Sequence, residues 1–107
     1  MAPMDSLAAL ADPTRRRIVE MLAARPMTSG DIAGSFDVSA SAISQHLKVL
    51  RGARLVRVRA EAQRRIYLLD PDGVEEIADW VQNVRKFWAA RLDALASQLH
   101  VEGEKDE

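Results

Sequence analysis

Residues 27–50 read MTSGDIAGSFDVSASAISQHLKVL, and this segment predicts two short helices. Thr28 and Asp31 have the spacing of a capping box, with Asp31 in place of the usual Glu or Gln, and predict a helix of about two turns that ends near Phe36. A polar break follows, and Ser39 at its end can cap a second helix. Two short helices joined by a tight turn form the outline of a helix-turn-helix.

The second helix of this pair is predicted to be amphipathic. Ile43, Leu47 and Leu50 recur at spacings of four and three, which places them on one face. His46 lies at the edge of that face, where we expect a partly buried, hydrogen-bonded histidine; a base contact or a pH switch are the alternatives. The other faces carry polar and basic residues, namely Ser41, Ser44, Gln45, Lys48 and Arg51.

Two more helices are predicted upstream. Asp12 can cap a helix, and the proline that follows it suits the first helical position. This helix should run to about Ala24, because a second proline two residues later disfavours helical backbone before it. A short helix from Asp5 to Leu10 precedes it, with Leu7 and Leu10 on its apolar side.

Beyond Leu55 the apolar period changes to two. Val56 and Val58 alternate with arginines, and after a short turn Ile66 and Leu68 also alternate with polar or aromatic residues. This pattern predicts a two-stranded hairpin with one apolar side and one arginine side. The turn contains no glycine, so its type does not follow from the usual hairpin signals.

The longest periodic segment begins at Asp70 and Pro71 and predicts a helix of about seven turns. Its main stripe consists of Val74, Ile77, Val81, Val84, Trp88, Leu92, Leu95 and Leu99. Trp80 and Phe87 lie off this stripe, so the helix is more apolar than one core contact requires, which indicates a partner helix from a second copy. We expect a single domain over residues 1–101 and a disordered acidic tail over 102–107.

The charge of the chain is unevenly distributed. The net charge is −1, yet residues 1–70 carry +4 and residues 71–107 carry −5. Between residues 38 and 67, seven Lys or Arg residues accompany only Glu61. Such a surface suits a polyanion such as nucleic acid, although a solvated basic face would look the same. A non-enzymatic interaction module whose basic face binds an acidic partner protein is the alternative function.

Composition excludes several classes of protein. Apolar residues make up 48% of the chain, too many for a disordered tail. The longest apolar run has five residues, whereas a membrane-spanning helix needs about 20. With no secretion signal, we expect a cytoplasmic protein. The lack of cysteine excludes disulfides and thiolate sites, and two separated histidines with isolated serines form no catalytic constellation, so we expect no enzyme.

Three segments resemble a known family: LADPTRRRIVEML at residues 10–22, the segment at 27–50, and ARLVRVRAEAQRRIYLLDP at 53–71. They resemble the ArsR family of dimeric bacterial and archaeal transcriptional repressors, of which SQHLKVL at 44–50 is among the more specific signatures. FWAARLDAL at 87–95 is similar to the C-terminal helix of its metal-independent, autorepressor-like branch. The resemblance implies a mainly α winged helix-turn-helix with a small β-hairpin wing, whose long C-terminal helix and N-terminal helix form a dimer.

The resemblance implies that the helix from Ser39 to about Arg51 enters the major groove of double-stranded DNA. Ser41, Ser44 and Gln45 match the positions that face base edges, where a glutamine amide can present a donor and an acceptor together to adenine. Alternatively, the serines only favour the helix start and the glutamine is a solvated surface residue. Basic residues near the helix end and in the wing would contact phosphates or the minor groove. The implied DNA-contacting residues are Ser39, Ser41, Ser44, Gln45, Lys48, Arg51, Gln63, Arg64 and Arg65.

The resemblance also implies a homodimer whose long helices hold two recognition helices about 34 Å apart, one turn of DNA. The operator would then be an inverted repeat, and repression would follow from occlusion of a promoter, with that of its own gene as one candidate. The aromatic residues of this interface could instead frame a pocket for an unidentified small-molecule or protein effector. The implied interface residues are Leu7, Leu10, Trp80, Val84, Phe87, Trp88, Leu92 and Leu95.

The metal sites of the family have no counterpart in this sequence. Its metal sensors use paired cysteines in the short helix before the recognition helix, or Asp and His clusters along the C-terminal helix. The first region here reads SGDIAGSF, and the second offers Asp79, Asp93 and a lone His100. A metal site needs three or four convergent ligands, so we expect no metal and no other cofactor.

Two positions depart from the family pattern, which often has glycine after the recognition helix and in the wing turn. This chain has Arg54 and Ala62 there. An arginine in the left-handed backbone conformation would cost about 1 kcal/mol or more of stability, unless Gly52 ends the helix earlier. The end of the recognition helix and the shape of the wing turn therefore stay open.

Overall fold

The computed structural model describes the backbone of residues 3–105 and the side chains of residues 5–99. The elements in chain order are α1 (Pro3–Ala9), α2 (Pro13–Ala24), β1 (Met27–Thr28), α3 (Ser29–Ala33), α4 (Ala40–Gly52), β2 (Val56–Glu61), β3 (Arg64–Leu69) and α5 (Pro71–Lys105). The fold is therefore mainly helical with a small antiparallel sheet, as predicted. The chain divides into two compact units, one ending at Ile77 and the other beginning at Ala78. The single domain over residues 1–101 stays a prediction.

The starts of the helices agree with the predicted caps. Asp12, Thr28 and Ser39 each accept a hydrogen bond from the backbone N–H three residues later, at 3.0 to 3.1 Å. Each cap satisfies one of the N–H groups that a helix leaves without an internal partner. The helix after Thr28 is shorter than predicted, because α3 ends at Ala33 where a glycine of low helix propensity follows.

The last helix is longer than predicted. Asp70 accepts a hydrogen bond from the backbone N–H two residues later at 3.1 Å, and α5 then continues for 35 residues. Its helical backbone includes residues 102–105, where the sequence predicted a disordered tail; glutamate and lysine in this segment are good helix formers. Residues 106 and 107 lie outside the described residues.

The sheet has three antiparallel strands in the order β1-β3-β2, whereas two strands were predicted. Met27 and Thr28 form the third strand by pairing with Tyr67 and Ile66. Two residues are too few to show a period of two, so the sequence contained no signal for β1. The hairpin of β2 and β3 has a two-residue turn in which only Ala62 has a positive φ, 57°, the φ pattern of a type II′ turn.

The register of the hairpin differs from the predicted division into an apolar and an arginine side. Val58 lies opposite Tyr67, and both belong to the side that packs against the helical core. Arg59 lies opposite Ile66, so Ile66 shares the arginine side although it is only 6% exposed. Strand β3 therefore buries apolar residues on both of its faces.

The hydrophobic core of the first unit joins α2, α3, α4 and the sheet. Burial of each large aliphatic side chain contributes roughly 1.5–3 kcal/mol, and these contacts hold α4 with its other side outward. From α5, Val74 and Ile77 pack against the same core. The largest fully buried side chains are Ile18, Ile32, Ile43, Leu47, Leu50, Leu55 and Val56.

The connection after α4 contains a strained residue. Helix α4 ends at Gly52, and Arg54 has a φ of 61°, so the left-handed conformation that the family pattern assigns to glycine is held by an arginine. Gly73 in the first turn of α5 lies directly against it, since a Cβ added to Gly73 would overlap the carbonyl oxygen of Arg54. The backbone after the recognition helix is thereby packed against the start of α5.

Within the described part of the chain, no helix has both the length and the apolar character needed to cross a lipid bilayer.

Candidate nucleic-acid interface

One side of α4 and its cap carries all six residues predicted for the recognition helix. Ile43, Leu47 and Leu50 are at most 1% exposed and turn the opposite side of the helix toward solvent. The structure therefore brings the predicted residues together on a single surface. They are all exposed, and they are Ser39, Ser41, Ser44, Gln45, Lys48 and Arg51.

Ser39 has a structural role in addition to the predicted DNA contact. Its side-chain oxygen accepts a hydrogen bond from the backbone N–H of Ala42 at 3.0 Å, which caps α4. The same hydroxyl can still donate its proton, for example to a phosphate oxygen. Ser39 can thus begin the helix and contact DNA at the same time.

Lys48 and Arg51 carry the positive charges of α4. Among the side chains that the structure describes, no carboxylate lies within 4.0 Å of Lys48 or Arg51. Both side chains are exposed. They can therefore pair with an external anion without first breaking an ion pair of the protein.

Val49 is an apolar residue on the exposed part of α4 that sequence reasoning did not single out. Its side chain is 43% exposed, although valine is usually buried. It follows Gln45 by four residues, so the two lie on neighbouring parts of the same helix surface. Val49 lines a surface groove together with Ala8 and Ala9 of α1. The signal in the sequence was an apolar residue outside the stripe of the core.

The wing presents the other three predicted residues. Gln63, Arg64 and Arg65 are all exposed at the end of the hairpin. The neighbouring Glu61 lies 3.5 Å from the Arg59 guanidinium, with both side chains more than half exposed. Such an exposed ion pair contributes little to stability, and it involves neither Arg64 nor Arg65.

A surface groove of about 500 Å³ lies beside the wing, and sequence reasoning did not predict it. It is lined by Thr28, Ser29, Asp31, Arg64 and Arg65. The groove therefore joins the start of the helix-turn-helix to the start of β3. No local sequence signal could reveal it, because its two walls are more than thirty residues apart in the chain.

His46 is partly buried and hydrogen-bonded, as predicted. Nη1 of Arg15 lies 3.3 Å from Nδ1 of His46. Nε of Arg15 donates a hydrogen bond to the carbonyl oxygen of Ala9 at 2.6 Å. A guanidinium only donates, so Nδ1 acts as the acceptor in this arrangement. The Asp12 carboxylate lies 4.0 Å from Nδ1 of His46. The hydrogen bond that this carboxylate accepts from the backbone N–H of Arg15 lowers the pKa of Asp12 below its usual value. This network ties α4 to the start of α2.

Helix α5 exposes most of the apolar residues predicted for a dimer interface. Within this helix, Phe87 and Trp88 make an edge-to-face contact with ring centres 5.7 Å apart, and the Arg91 guanidinium lies 5.5 Å from the centre of the Phe87 ring. Val84 of α5 and Leu7 of α1 are half-buried, as is Leu10 just after α1. The exposed ones are 40–59% accessible and comprise Trp80, Phe87, Trp88, Leu92 and Leu95.

No group of three His, Asp or Glu side chains in the described residues lies close enough together to hold a metal ion. Asp79 and Asp93 of α5 are both exposed. The side chain of His100 lies outside the described residues.

The elements and their exposed basic surface define a class of protein. An α3-turn-α4 pair presents polar and basic side chains, and an arginine-bearing hairpin lies downstream of it. This is the architecture of a winged helix-turn-helix DNA-binding protein.

Comparison with known proteins places the chain within this class. Residues 12–58 match the family model described as "Bacterial regulatory protein, arsR family". The chain is 45% identical to the HTH-type transcriptional regulator Rv2034 of Mycobacterium tuberculosis, over 90% of this chain and 87% of that protein. It is 36% identical to the transcriptional repressor SdpR of Bacillus subtilis, over 70% of this chain and 83% of that protein.

A solved structure supports the same assignment. The crystal structure of a possible transcriptional regulator for arsenical resistance superposes with a TM-score of 0.71 at 40% identity, covering 88% of this chain and 95% of that one. The chain therefore belongs to the ArsR family and is a DNA-binding transcriptional regulator.

Proposed function

We propose that this regulator is a homodimeric repressor that binds an inverted-repeat operator through α4 and the wing. The observation that carries the proposal is the exposed polar and basic side of α4, opposite a stripe that is fully buried. The buried stripe anchors the helix in the core, and no carboxylate of the described side chains lies within 4.0 Å of Lys48 or Arg51. Such a helix can lie in the major groove without rearrangement of the protein.

Different residues of this surface would have different tasks. Ser41, Ser44 and Gln45 carry donors and acceptors suited to base edges. Lys48 and Arg51 would neutralise phosphates and thereby fix the position of the helix on DNA. Gln63 and the two arginines that follow it would reach the backbone or the minor groove beside the reading helix.

The proposed dimer rests on the exposed apolar residues of α5. Phe87, Trp88, Leu92 and Leu95 are each more than half exposed in the single chain. Exposed apolar patches of this kind are typical of an interface between proteins, since monomers rarely leave them in contact with water. A two-fold dimer would place two copies of α4 on one side of the duplex, which requires an operator of matching symmetry.

Repression is the proposed outcome because a dimer on a promoter excludes RNA polymerase. The similar protein of Bacillus subtilis is named a transcriptional repressor, which supports this direction. The promoter of the regulator's own gene is the first operator to test. We also propose that the protein acts in the cytoplasm, where the DNA is.

Fluorescence anisotropy on DNA from upstream of its own gene tests this proposal, with a scrambled duplex of equal length as the control. Measurements at two salt concentrations separate specific binding from charge attraction. We expect the upstream DNA to bind at least about 10³-fold more tightly near physiological salt. A reporter gene behind the same promoter should then lose expression when the protein is present. Equal affinity for both duplexes would contradict the choice of operator.

A further inference from the structure

Three side chains meet where the start of α2 lies against α4, and the proposed DNA contacts use none of them. They are Asp12, Arg15 and His46, and we call them the His46 cluster. Nη1 of Arg15 lies 3.3 Å from Nδ1 of His46. Nε of Arg15 donates a hydrogen bond to the carbonyl oxygen of Ala9, the last residue of α1, at 2.6 Å. One guanidinium group therefore joins α1 and α2 to the middle of α4.

The His46 cluster lies at the edge of the buried stripe of α4. His46 follows Ile43 by three residues and precedes Leu50 by four, and its side chain is 21% exposed. The apolar contacts of the stripe have no preferred direction, whereas a hydrogen bond does. The contact with Arg15 therefore fixes the rotation of α4 about its own axis. Gln45, the proposed base-reading residue next to His46, takes its position from that rotation.

A proton on His46 would turn its contact with Arg15 from attraction to repulsion. A guanidinium group only donates hydrogen bonds, so Nδ1 of a neutral imidazole accepts one from it. A protonated imidazole donates from both ring nitrogens and carries a positive charge, so it has no acceptor for Arg15 and repels it. The Asp12 carboxylate, 4.0 Å from Nδ1, is then the favourable partner. Protonation thus moves the contact of His46 from the guanidinium to the cap of α2.

Two charged side chains lie close to the imidazole of His46, and both belong to the start of α2. Helices α1, α2 and α3 and strand β2 pack against α4. Among the described side chains, no carboxylate other than that of Asp12 lies within 4.0 Å of the imidazole. The other carboxylates on these elements are exposed, and they are Asp5, Glu20, Asp31 and Glu61. The other cations on these elements and on α4 are exposed as well, and they are Arg16, Arg17, Lys48, Arg51, Arg57 and Arg59. The partners that His46 exchanges are therefore Arg15 and Asp12.

We propose that Arg15 positions α4 for base reading through neutral His46, and that a proton on His46 releases this position, so that the preference for operator over random DNA falls on acidification. This rests on the proposed function, since it needs an operator read by α4. A histidine changes its charge between about pH 5 and 8, where carboxylates and arginines keep theirs. Added positive charge alone would strengthen binding to any DNA, so a weaker operator complex is opposite in sign to a general charge effect.

The test measures DNA affinity by anisotropy at about pH 8 and about pH 5.5, on the upstream duplex and on a random duplex of equal length. For the wild type we expect the preference for the operator to fall about fivefold or more at the lower pH, which is the lower limit for one base contact. His46→Gln has an amide oxygen that can accept from Arg15 at both pH values, so its preference should not depend on pH. His100→Gln removes the other histidine of the chain and is the control, which should behave as the wild type.

A second pair of variants tests the role of Arg15. Arg15→Met keeps an unbranched apolar stem and removes both hydrogen bonds, so at about pH 8 we expect its operator preference to fall about fivefold, as in the acidified wild type. Arg16→Met removes the same charge at an exposed position of α2 and should leave the preference unchanged. Arg15→Lys keeps the charge and a donor, and should restore part of the preference. Thermal melts verify that all variants are folded. A purely structural role of Arg15 would lower the melting temperature without changing the operator preference of the folded protein.

The outcomes for this inference and for the proposed function are distinct. A wild-type operator preference that stays constant between the two pH values would overturn the inference, and so would an equal fall in His46→Gln. If the wild type prefers no operator at either pH, the proposed function fails, and nuclear magnetic resonance of the protein alone then tests the positioning of α4. Amide signals at both ends of α4 should shift with pH in the wild type and stay in place in His46→Gln. Signals that behave alike in both proteins would overturn the inference.

Discussion

At the scale of single residues, Arg54 and Ala62 show how this chain tolerates local strain. Both have a positive φ, the region that L-residues other than glycine, Asn and Asp rarely adopt. Arg54 lies just after the end of α4, where its own N–H and that of Leu55 donate to the carbonyl oxygens of Arg51 and Leu50, both at 3.0 Å. Ala62 lies in the two-residue turn that joins the paired strands. In both places the surrounding contacts outweigh a cost of roughly 1–2 kcal/mol.

Replacing Ala62 by glycine should stabilise the protein. Glycine adopts a positive φ without the steric cost of a Cβ, so we expect the free energy of unfolding to rise by roughly 0.5–1 kcal/mol after the entropy of glycine is counted. Urea unfolding followed by circular dichroism measures this change. The control Ala60→Gly lies in the same hairpin at a position without positive φ, and it should destabilise instead. Equal effects of both substitutions would contradict a strained turn.

At the scale of secondary-structure elements, α4 combines two independent tasks on its two sides. The side with Ile43, Leu47 and Leu50 packs into the core, and the network of Arg15 and His46 joins the helix to α2. The exposed side is therefore presented on a rigid support. Substitutions on that side, apart from the helix cap Ser39, should change DNA binding with little effect on folding, because they remove no buried contact.

Gln45→Ala and Lys48→Ala should affect DNA binding in different ways. Loss of a base contact by Gln45 should lower the preference for the operator by about 1–3 kcal/mol and leave random DNA binding unchanged. Loss of a phosphate contact by Lys48 should weaken binding to both duplexes and reduce the salt slope by about 0.9. Each variant serves as the control for the other in anisotropy titrations. Identical profiles would contradict the proposed docking of α4.

The close packing of Gly73, in the first turn of α5, against Arg54 predicts how a substitution at Gly73 changes the stability of the protein. Gly73→Ala would place a Cβ against the Arg54 carbonyl oxygen, and we expect a loss of about 1–3 kcal/mol from the forced shift. Gly52→Ala is the matched control, since a Cβ there meets nothing within 4 Å. It should raise stability by up to about 1 kcal/mol, because alanine favours the helix. Thermal melts that rank the two variants in the opposite order would contradict this contact.

At the scale of the whole molecule, the exposed apolar residues of α5 are the surface on which the proposed dimer would form. The first unit has a continuous core of its own, whereas from Ala78 onward α5 exposes large apolar side chains. A second copy is the partner that the proposed repressor requires, because an inverted-repeat operator is bound by a two-fold dimer. Dimerisation would then bring two weak half-site contacts into one complex and raise the overall affinity.

Leu92→Glu should convert the proposed dimer to a monomer. Leu92 is 59% exposed in the single chain, so the substitution should leave the fold of the chain intact while placing a charge in the proposed interface. Sedimentation velocity measures the oligomeric state, and anisotropy on an operator with two half-sites should show a large loss of affinity. Asn83→Glu, also exposed on α5, is the control and should stay dimeric. A dimeric Leu92→Glu variant would place the interface elsewhere.

Most of the element order and the exposed polar side of α4 could be predicted from local signals. The caps at Asp12, Thr28 and Ser39 are contacts between residues three apart, so a short stretch of sequence contains both partners. The exposed side of α4 follows from the spacing of its apolar stripe in the same way. The resemblance of these segments to the ArsR family then indicated the wing and a DNA-binding function, and the comparisons bear out that family.

The remaining features depend on residues that are distant in the chain. The pairing of β1 with β3 and the hairpin register bring Thr28, Ile66 and Arg59 onto one side of the sheet, and the groove joins α3 to the wing. The close approach of Gly73 to the backbone of Arg54 joins two residues that are nineteen positions apart in the chain. Hydrophobic periodicity and capping describe a residue and its near neighbours, whereas these arrangements arise when packed elements meet. Helix positions and the exposed side of α4 therefore follow from sequence, whereas the side of the sheet shared by Thr28, Ile66 and Arg59, and the groove beside the wing, exist only in the folded chain.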